Sequence, residues 1–93
     1  MTLIDADLAA SLLSPQTGGI FPAQTQHGDW YTTPGFAWLG TVLEDGEGGW
    51  RYALMRRGEY DSYGTVAGES GFYSAERASE VMGQRARELA ADP

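Results

Sequence analysis

From Gly35 to Ala91 the sequence carries three short aromatic segments with strand character and then one amphipathic segment with helical spacing. Strand patterns read with a period of two and helices with a period near 3.6, so this order restricts the fold to strands packed by helices. The strand segments are Phe36–Leu43, Trp50–Arg57 and roughly Tyr60–Ala67, and the turns between them are rich in glycine and acid. The helix begins at Ser74 or Ala75.

Each segment carries its own signal. Phe36-Ala-Trp-Leu-Gly-Thr-Val-Leu is apolar on both faces, as a central strand requires. Glu44-Asp-Gly-Glu-Gly-Gly then supplies a turn in which Asp45-Gly46 is the strongest local element. Trp50, Tyr52 and Leu54 alternate with Arg51, Ala53 and Met55, giving the second strand one apolar face. Arg57-Gly58-Glu59 makes the next turn. The third strand is weaker and contains Gly64, which predicts a bulge or an edge position. Gly68-Glu-Ser-Gly71 reads as a turn after it. In the last segment, Ser74 is an N-cap, with Glu76 and Glu80 in the first two turns and Arg85 and Arg87 toward the C-terminal end. Ala78, Val81, Met82, Ala86 and Leu89 trace the apolar stripe, with Arg85 at its margin. Gly83 weakens this helix by about 1 kcal/mol relative to alanine, and a small residue there suits close approach of a neighbouring element.

Upstream, Thr2 caps a short helix with Asp5 and Asp7 near its positive end. Ile4, Leu8 and Leu12 form its apolar stripe, and Ser14-Pro15 stops it. Residues 15–34 are the least regular part. A loop of that length needs an explanation in a compact domain. Either Trp30–Thr33 forms an extra strand and Ile20, Phe21 and Trp30 pin the segment to the core, or it is a binding loop ordered by a partner. The expected architecture is a single α+β domain of two layers. It comprises a helix over 1–14, a long loop over 15–34, an antiparallel meander of three or four strands over 35–73, and a helix over 74–91.

Composition narrows function more than fold. Ninety-three residues make one domain, and 42% hydrophobic residues are too many for a disordered chain. The chain has no cysteine, which favours a reducing compartment, and its start lacks the basic and apolar pattern of a signal peptide. With no apolar run long enough to span a bilayer, a cytoplasmic location is expected. Thirteen acidic residues against six basic ones, all arginine, give a net charge of −7. Such a field repels phosphate backbones and anionic lipid, and it suits docking onto a basic protein surface or simple solubility.

Catalytic and metal chemistry find little support. His27 is the only histidine, and Asp29 two residues on shares its face in an extended segment, so a His–Asp pair is the one acid–base candidate. Glu44, Asp45 and Glu47 resemble hard-cation ligands but miss the calcium-loop spacing. One histidine and no cysteine do not make a zinc site. The glycine-rich turn at Gly46, Gly48 and Gly49 joins strands and leads into no helix, unlike a phosphate loop. No enzyme, cofactor or metal is expected.

Helix, three strands and helix is the order of the double-stranded-RNA-binding domain, and three strands followed by a helix is similar to the DNA-reading domains of some phage integrases. That resemblance implies nucleic-acid binding. On the residues themselves, Arg51, Arg56 and Arg57 are expected to make a basic spot on or beside the second strand, next to Trp50 and Tyr52, of the kind that contacts phosphates or stacks on bases. The same arginines are placed to pair with Glu59 and Asp61 across the hairpin. In size and charge the chain resembles phage-encoded inhibitors such as anti-CRISPR proteins, as well as immunity proteins and small adaptors. This likeness implies a non-catalytic module whose acidic turns occupy a partner's basic nucleic-acid-binding surface. The residues expected to carry it are Glu44, Asp45, Glu47, Glu59 and Asp61, with the rings of Trp30, Tyr31, Tyr60 and Tyr63. A homodimer through an edge strand or the Gly83 face, and a small enzyme or ligand binder using His27, remain open at this point.

Overall fold

The computed structural model describes residues 1–17, 28–58 and 62–91. It contains β1 (Thr2–Ile4), α1 (Ala6–Thr17), β2 (Asp29–Thr32), β3 (Trp38–Glu44), β4 (Trp50–Arg57), β5 (Tyr63–Phe72) and α2 (Ala75–Ala91). The five strands form one antiparallel sheet in sequence order, β1-β2-β3-β4-β5, so each strand lies beside its chain neighbour. The chain is an α+β domain, with one strand more than the largest number expected. As its two-sided apolar pattern requires, β3 is central.

The additional strand comes from the N-terminus. Thr2, Leu3 and Ile4 pair with Thr32, Tyr31 and Trp30, and the helix expected to start at Thr2 begins after Asp5 instead. Asp5 is the cap: its Oδ1 accepts from Leu8 N at 2.7 Å and its carbonyl from Ala9 N at 3.1 Å. Two β-branched residues, Thr2 and Ile4, favour the strand, and aspartate is at least as strong a cap as threonine. α1 then runs past Ser14-Pro15 to Thr17. Proline removes one backbone donor, and near a C-terminal end that loss is confined to the last turn. The strand anticipated at Trp30–Thr33 is present as β2. Of the residues expected to pin the preceding loop, Trp30 is in the core, while Ile20 and Phe21 lie outside the described residues.

The two helices cover opposite faces, because neighbouring residues of β3 point in opposite directions. Trp38 and Val42 join Tyr52, Leu54, Ala78, Met82 and Ala86 in one cluster beneath α2. Leu39 joins Trp30, Tyr63, Ala9 and Leu13 in a second cluster beneath α1. The α2 layer is the larger, and α1 adds a partial layer over the β1–β2 side of the sheet. Leu39 and Leu54 are fully buried, and each such side chain contributes about 1.5–3 kcal/mol of burial.

At Gly40 the sheet leaves no room for a side chain beneath the helix. A Cβ there would lie 2.5 Å from Met82 Sδ and 3.3 Å from Met1 Cε. Gly83 is buried, yet a Cβ on it would meet only Arg87 Nη1 at 3.8 Å. The glycine that admits close packing is therefore on the strand and not on the helix. Ser74 caps α2 as expected, its Oγ accepting from Arg77 N at 3.1 Å.

β5 is an edge strand with two irregularities, one between the pairs Leu54↔Ala67 and Met55↔Thr65 and one between Trp50↔Phe72 and Tyr52↔Glu69. The bulge anticipated near Gly64 falls at Val66. The turn expected over 68–71 is absent, because the strand continues to Phe72.

Candidate protein-binding surface

The β3–β4 hairpin is built by one side chain. Asp45 Oδ1 accepts from Glu47 N at 2.8 Å and from Gly49 N at 3.1 Å, while Asp45 N donates to Gly49 O at 3.1 Å. Gly46 and Gly48 take positive φ of 85° and 81°, the left-handed region that this tight turn needs. The N–H of Glu47 holds the Asp45 carboxyl below the usual carboxylate range. Burial opposes this less strongly, and donors at Gly49 and Gly71 add smaller contributions in the lowering direction. Asp45, expected among the partner-binding acids, is thus committed to the turn, and Glu44 and Glu47 are the acids it leaves exposed.

This tip abuts the corner between β5 and α2. A Cβ on Gly49 would lie 3.0 Å from Phe72 O, so the hairpin and the corner are in backbone contact. Tyr73, at that corner, is 84% exposed, the most exposed large apolar side chain described. It precedes the Ser74 cap, the position from which an apolar residue usually packs back onto the helix's fourth residue, here Ala78. Ala78 is buried against the sheet, and Tyr73 points into solvent instead. Glu76 is exposed in the first turn that follows, and exposed Asp29 enters β2 at the same end of the sheet, opposite Val42. Glu44, Glu47, Glu76, Asp29 and Tyr73 therefore share one end of the molecule. Tyr73 was not singled out from sequence; the signal available was its position just outside a strong cap.

Several expected ring contributors belong to the core. Trp30 is 5% exposed and Tyr63 8%, and Tyr63 donates its hydroxyl to Phe36 O at 2.7 Å. Tyr31 is half-buried, and burial, followed by the charge of Asp29, raises its phenol pKa against a hydrogen bond with Ser79. Side-chain alternation along β2 and β5 turns these rings onto the two packed faces. Tyr60, Glu59, Asp61 and His27 lie outside the described residues.

The arginines do not form one basic spot. Alternation sends Arg51 and Arg57 to the α1 side of β4 and Arg56 to the α2 side, where its guanidinium lies 5.7 Å from the Trp38 ring centroid. Arg51 and Arg57 are six residues apart along the strand, roughly 20 Å.

Among the described residues, no group of three His, Asp or Glu side chains is arranged to hold a metal ion, and no helix is long and apolar enough to cross a membrane. No protein-family model, curated protein or solved structure matches the chain.

Proposed function

We propose that the chain is a non-catalytic protein-binding module that docks its acidic end onto a basic surface of another protein. The observation that supports this reading is the fixed hairpin tip, which holds Glu44 and Glu47 outward beside a tyrosine that is 84% exposed. Tyrosine is among the residues that most often anchor interfaces, and a rigid tip loses little entropy on docking. A net charge of −7 steers the encounter toward a cationic face. The partner class that fits is a nucleic-acid-binding protein, whose arginine- or lysine-rich surface the acidic tip occupies in place of phosphates. Such a module acts as an inhibitor in the manner of the anti-CRISPR and immunity proteins it resembles in size and charge.

Two measurements test the reading. Affinity capture from the source cell, with wild type and the Glu44→Lys/Glu47→Lys variant as parallel baits, is expected to retain a basic protein on wild type only. Duplex DNA and rising salt should release it. A salt titration of direct binding to duplex and single-stranded DNA and RNA is expected to show no appreciable affinity. Tight, salt-steep binding to nucleic acid would refute the mimic.

A further inference from the structure

β5 and α2 diverge along one flank of the sheet and leave a cleft of about 610 Å3 between them. This lies within the roughly 300–1,000 Å3 of ligand pockets and exceeds the volume of one side chain. Val66, Ala67 and Val81 give it an aliphatic part, and the rest of its lining is polar, including Glu69, Gln84, Arg85 and Glu88. Val66 is half-exposed because the bulge lifts it out of the ladder.

One carboxylate is held from the sheet and the other from its own helix. Tyr52 pairs with Glu69 across β4 and β5, and its hydroxyl donates to Glu69 Oε2 at 2.5 Å. Burial, reinforced by the Glu69 carboxylate, pushes the Tyr52 phenol far above its ordinary value, so it stays a donor throughout the neutral range. Arg85 Nη1 meets Glu88 Oε2 at 3.1 Å. Two carboxylates and one guanidinium leave the cleft with a single excess negative charge. Alongside it runs the outer edge of β5, whose outward N–H and C=O groups face no strand among the described residues.

We propose that this cleft receives an arginine or lysine side chain of the basic partner, presented in an extended segment lying along the open edge of β5. The inference rests on the reading above, that the partner is basic. An aliphatic-stemmed cation matches both parts of the cleft. Its methylenes cover Val66, Ala67 and Val81, and its head reaches Glu69 and Glu88. Backbone bonds to β5 add register, the mode by which strand-edge grooves read peptides. The two irregularities cut the edge into short straight runs, which suit a segment of a few residues. They disfavour a long β5–β5 pairing of two copies, as does the charge of −7 that each copy would bring.

The test is a titration of the uniformly 15N-labelled full chain, followed by heteronuclear correlation spectra. The probes are the end-capped peptides Ala-Val-Arg-Val-Ala and its lysine, norleucine and glutamate counterparts, with arginine amide alone as a further arm. The arginine and lysine peptides should shift the amides of 66–69 and 81–88, and the norleucine and glutamate peptides should not. Glu69→Gln keeps an acceptor for Tyr52 and should raise Kd about fivefold, the scale of one partly exposed charge contact. Glu88→Gln, on an exposed helix face, should do likewise. Absence of shifts with the cationic peptides overturns the proposal, as does equal affinity for arginine amide, which would make this a small-cation site. Loss of binding in Glu44→Gln/Glu47→Gln with wild-type binding in Glu69→Gln would place the peptide on the hairpin tip. That outcome overturns the cleft and leaves the proposed function standing. A dimer in sedimentation with the β5 amides protected overturns it in favour of a second copy.

Discussion

Gly40 and Gly83 should respond to alanine in opposite directions, although both are buried glycines inside regular elements. At Gly40 the new Cβ would lie 2.5 Å from Met82 Sδ and 3.0 Å from its Cε. Met82 is itself fully buried, so its thioether must change rotamer inside a packed cluster. Overpacking of this kind costs about 1–3 kcal/mol, and removing a glycine from a strand interior returns about 0.5–1 kcal/mol. The net expectation is a loss of about 1 kcal/mol. At Gly83 the Cβ meets only Arg87 Nη1 at 3.8 Å, an ordinary contact, and the helix gains about 1 kcal/mol. Urea unfolding followed by tryptophan fluorescence measures both, and the two variants should differ by about 2 kcal/mol. In a domain of this size each single change moves Tm by about 4–8 °C. A cycle with Met82→Ala isolates the cause. In that background Gly40→Ala should cost nothing, giving a coupling of about 1 kcal/mol or more. A Gly40→Ala protein as stable as wild type, additive behaviour with Met82→Ala, or a destabilised Gly83→Ala protein would refute this account of the α2 face.

Other substitutions probe the turns and caps. The Asp45 pKa is depressed in the fold, so its turn contributes stability above the unfolded value near 3.8 that disappears as pH falls through the lower folded value; Asp45→Asn should flatten the acid limb of stability below about pH 4 in a denaturation series. Tyr63→Phe removes the bond to Phe36 O and should cost about 1 kcal/mol in urea unfolding, leaving the strained turn where Phe36 takes φ of 61° less well held. Ser74→Ala removes the acceptor for Arg77 N and should lower stability by about 1 kcal/mol, read by the same assay. Tyr73→Ser should leave stability within about 0.5 kcal/mol of wild type while weakening partner capture, because its ring is largely exposed.

The parts of the fold legible in sequence are those dictated by local chemistry. The alternation of Trp50, Tyr52 and Leu54, the two-sided pattern of β3, the Asp45-Gly46 turn and the Ser74 cap each follow from a few neighbouring residues, and each is present. The differences arise where tertiary pairing outweighs local preference. Thr2–Ile4 has helical spacing with Leu8 and Leu12, but the edge of β2 offers a backbone partner and Asp5 caps just as well. Gly68–Gly71 has turn composition, yet pairing with β4 carries β5 through it. The candidate site was legible in its charges and obscure in its rings. Trp30, Tyr31 and Tyr63 lie in weakly patterned segments, and only the sheet register reveals that each faces a helix. Asp45 is chemically the same acid as Glu44 and Glu47, and its shorter side chain lets it close an Asx turn that glutamate does not.

The placement of the arginines decides whether the acidity is local or merely global. On α2, Arg77 pairs with Glu80 at 3.3 Å and Arg85 with Glu88 at 3.1 Å. These exposed pairs add little stability, but each cancels field where it sits. Arg56 is drawn over Trp38, on the face away from Arg51 and Arg57. At the hairpin end, Glu44, Glu47 and Asp29 outnumber Arg51, which lies beside the tip opposite Leu43, so a local negative excess stands there. Glu47→Lys and Glu80→Lys each change the net charge by two, from −7 to −5, and both positions are exposed. A purely global effect predicts equal loss of association rate with the captured basic partner. A local interface predicts that Glu47→Lys slows association by tenfold or more at low salt while Glu80→Lys changes it little, within the roughly 10–1,000-fold range of electrostatic steering. Stopped-flow association at two ionic strengths separates these outcomes. Equal rates for the two variants would mean that the charge only keeps the chain dispersed, and that the hairpin tip is not where the partner docks.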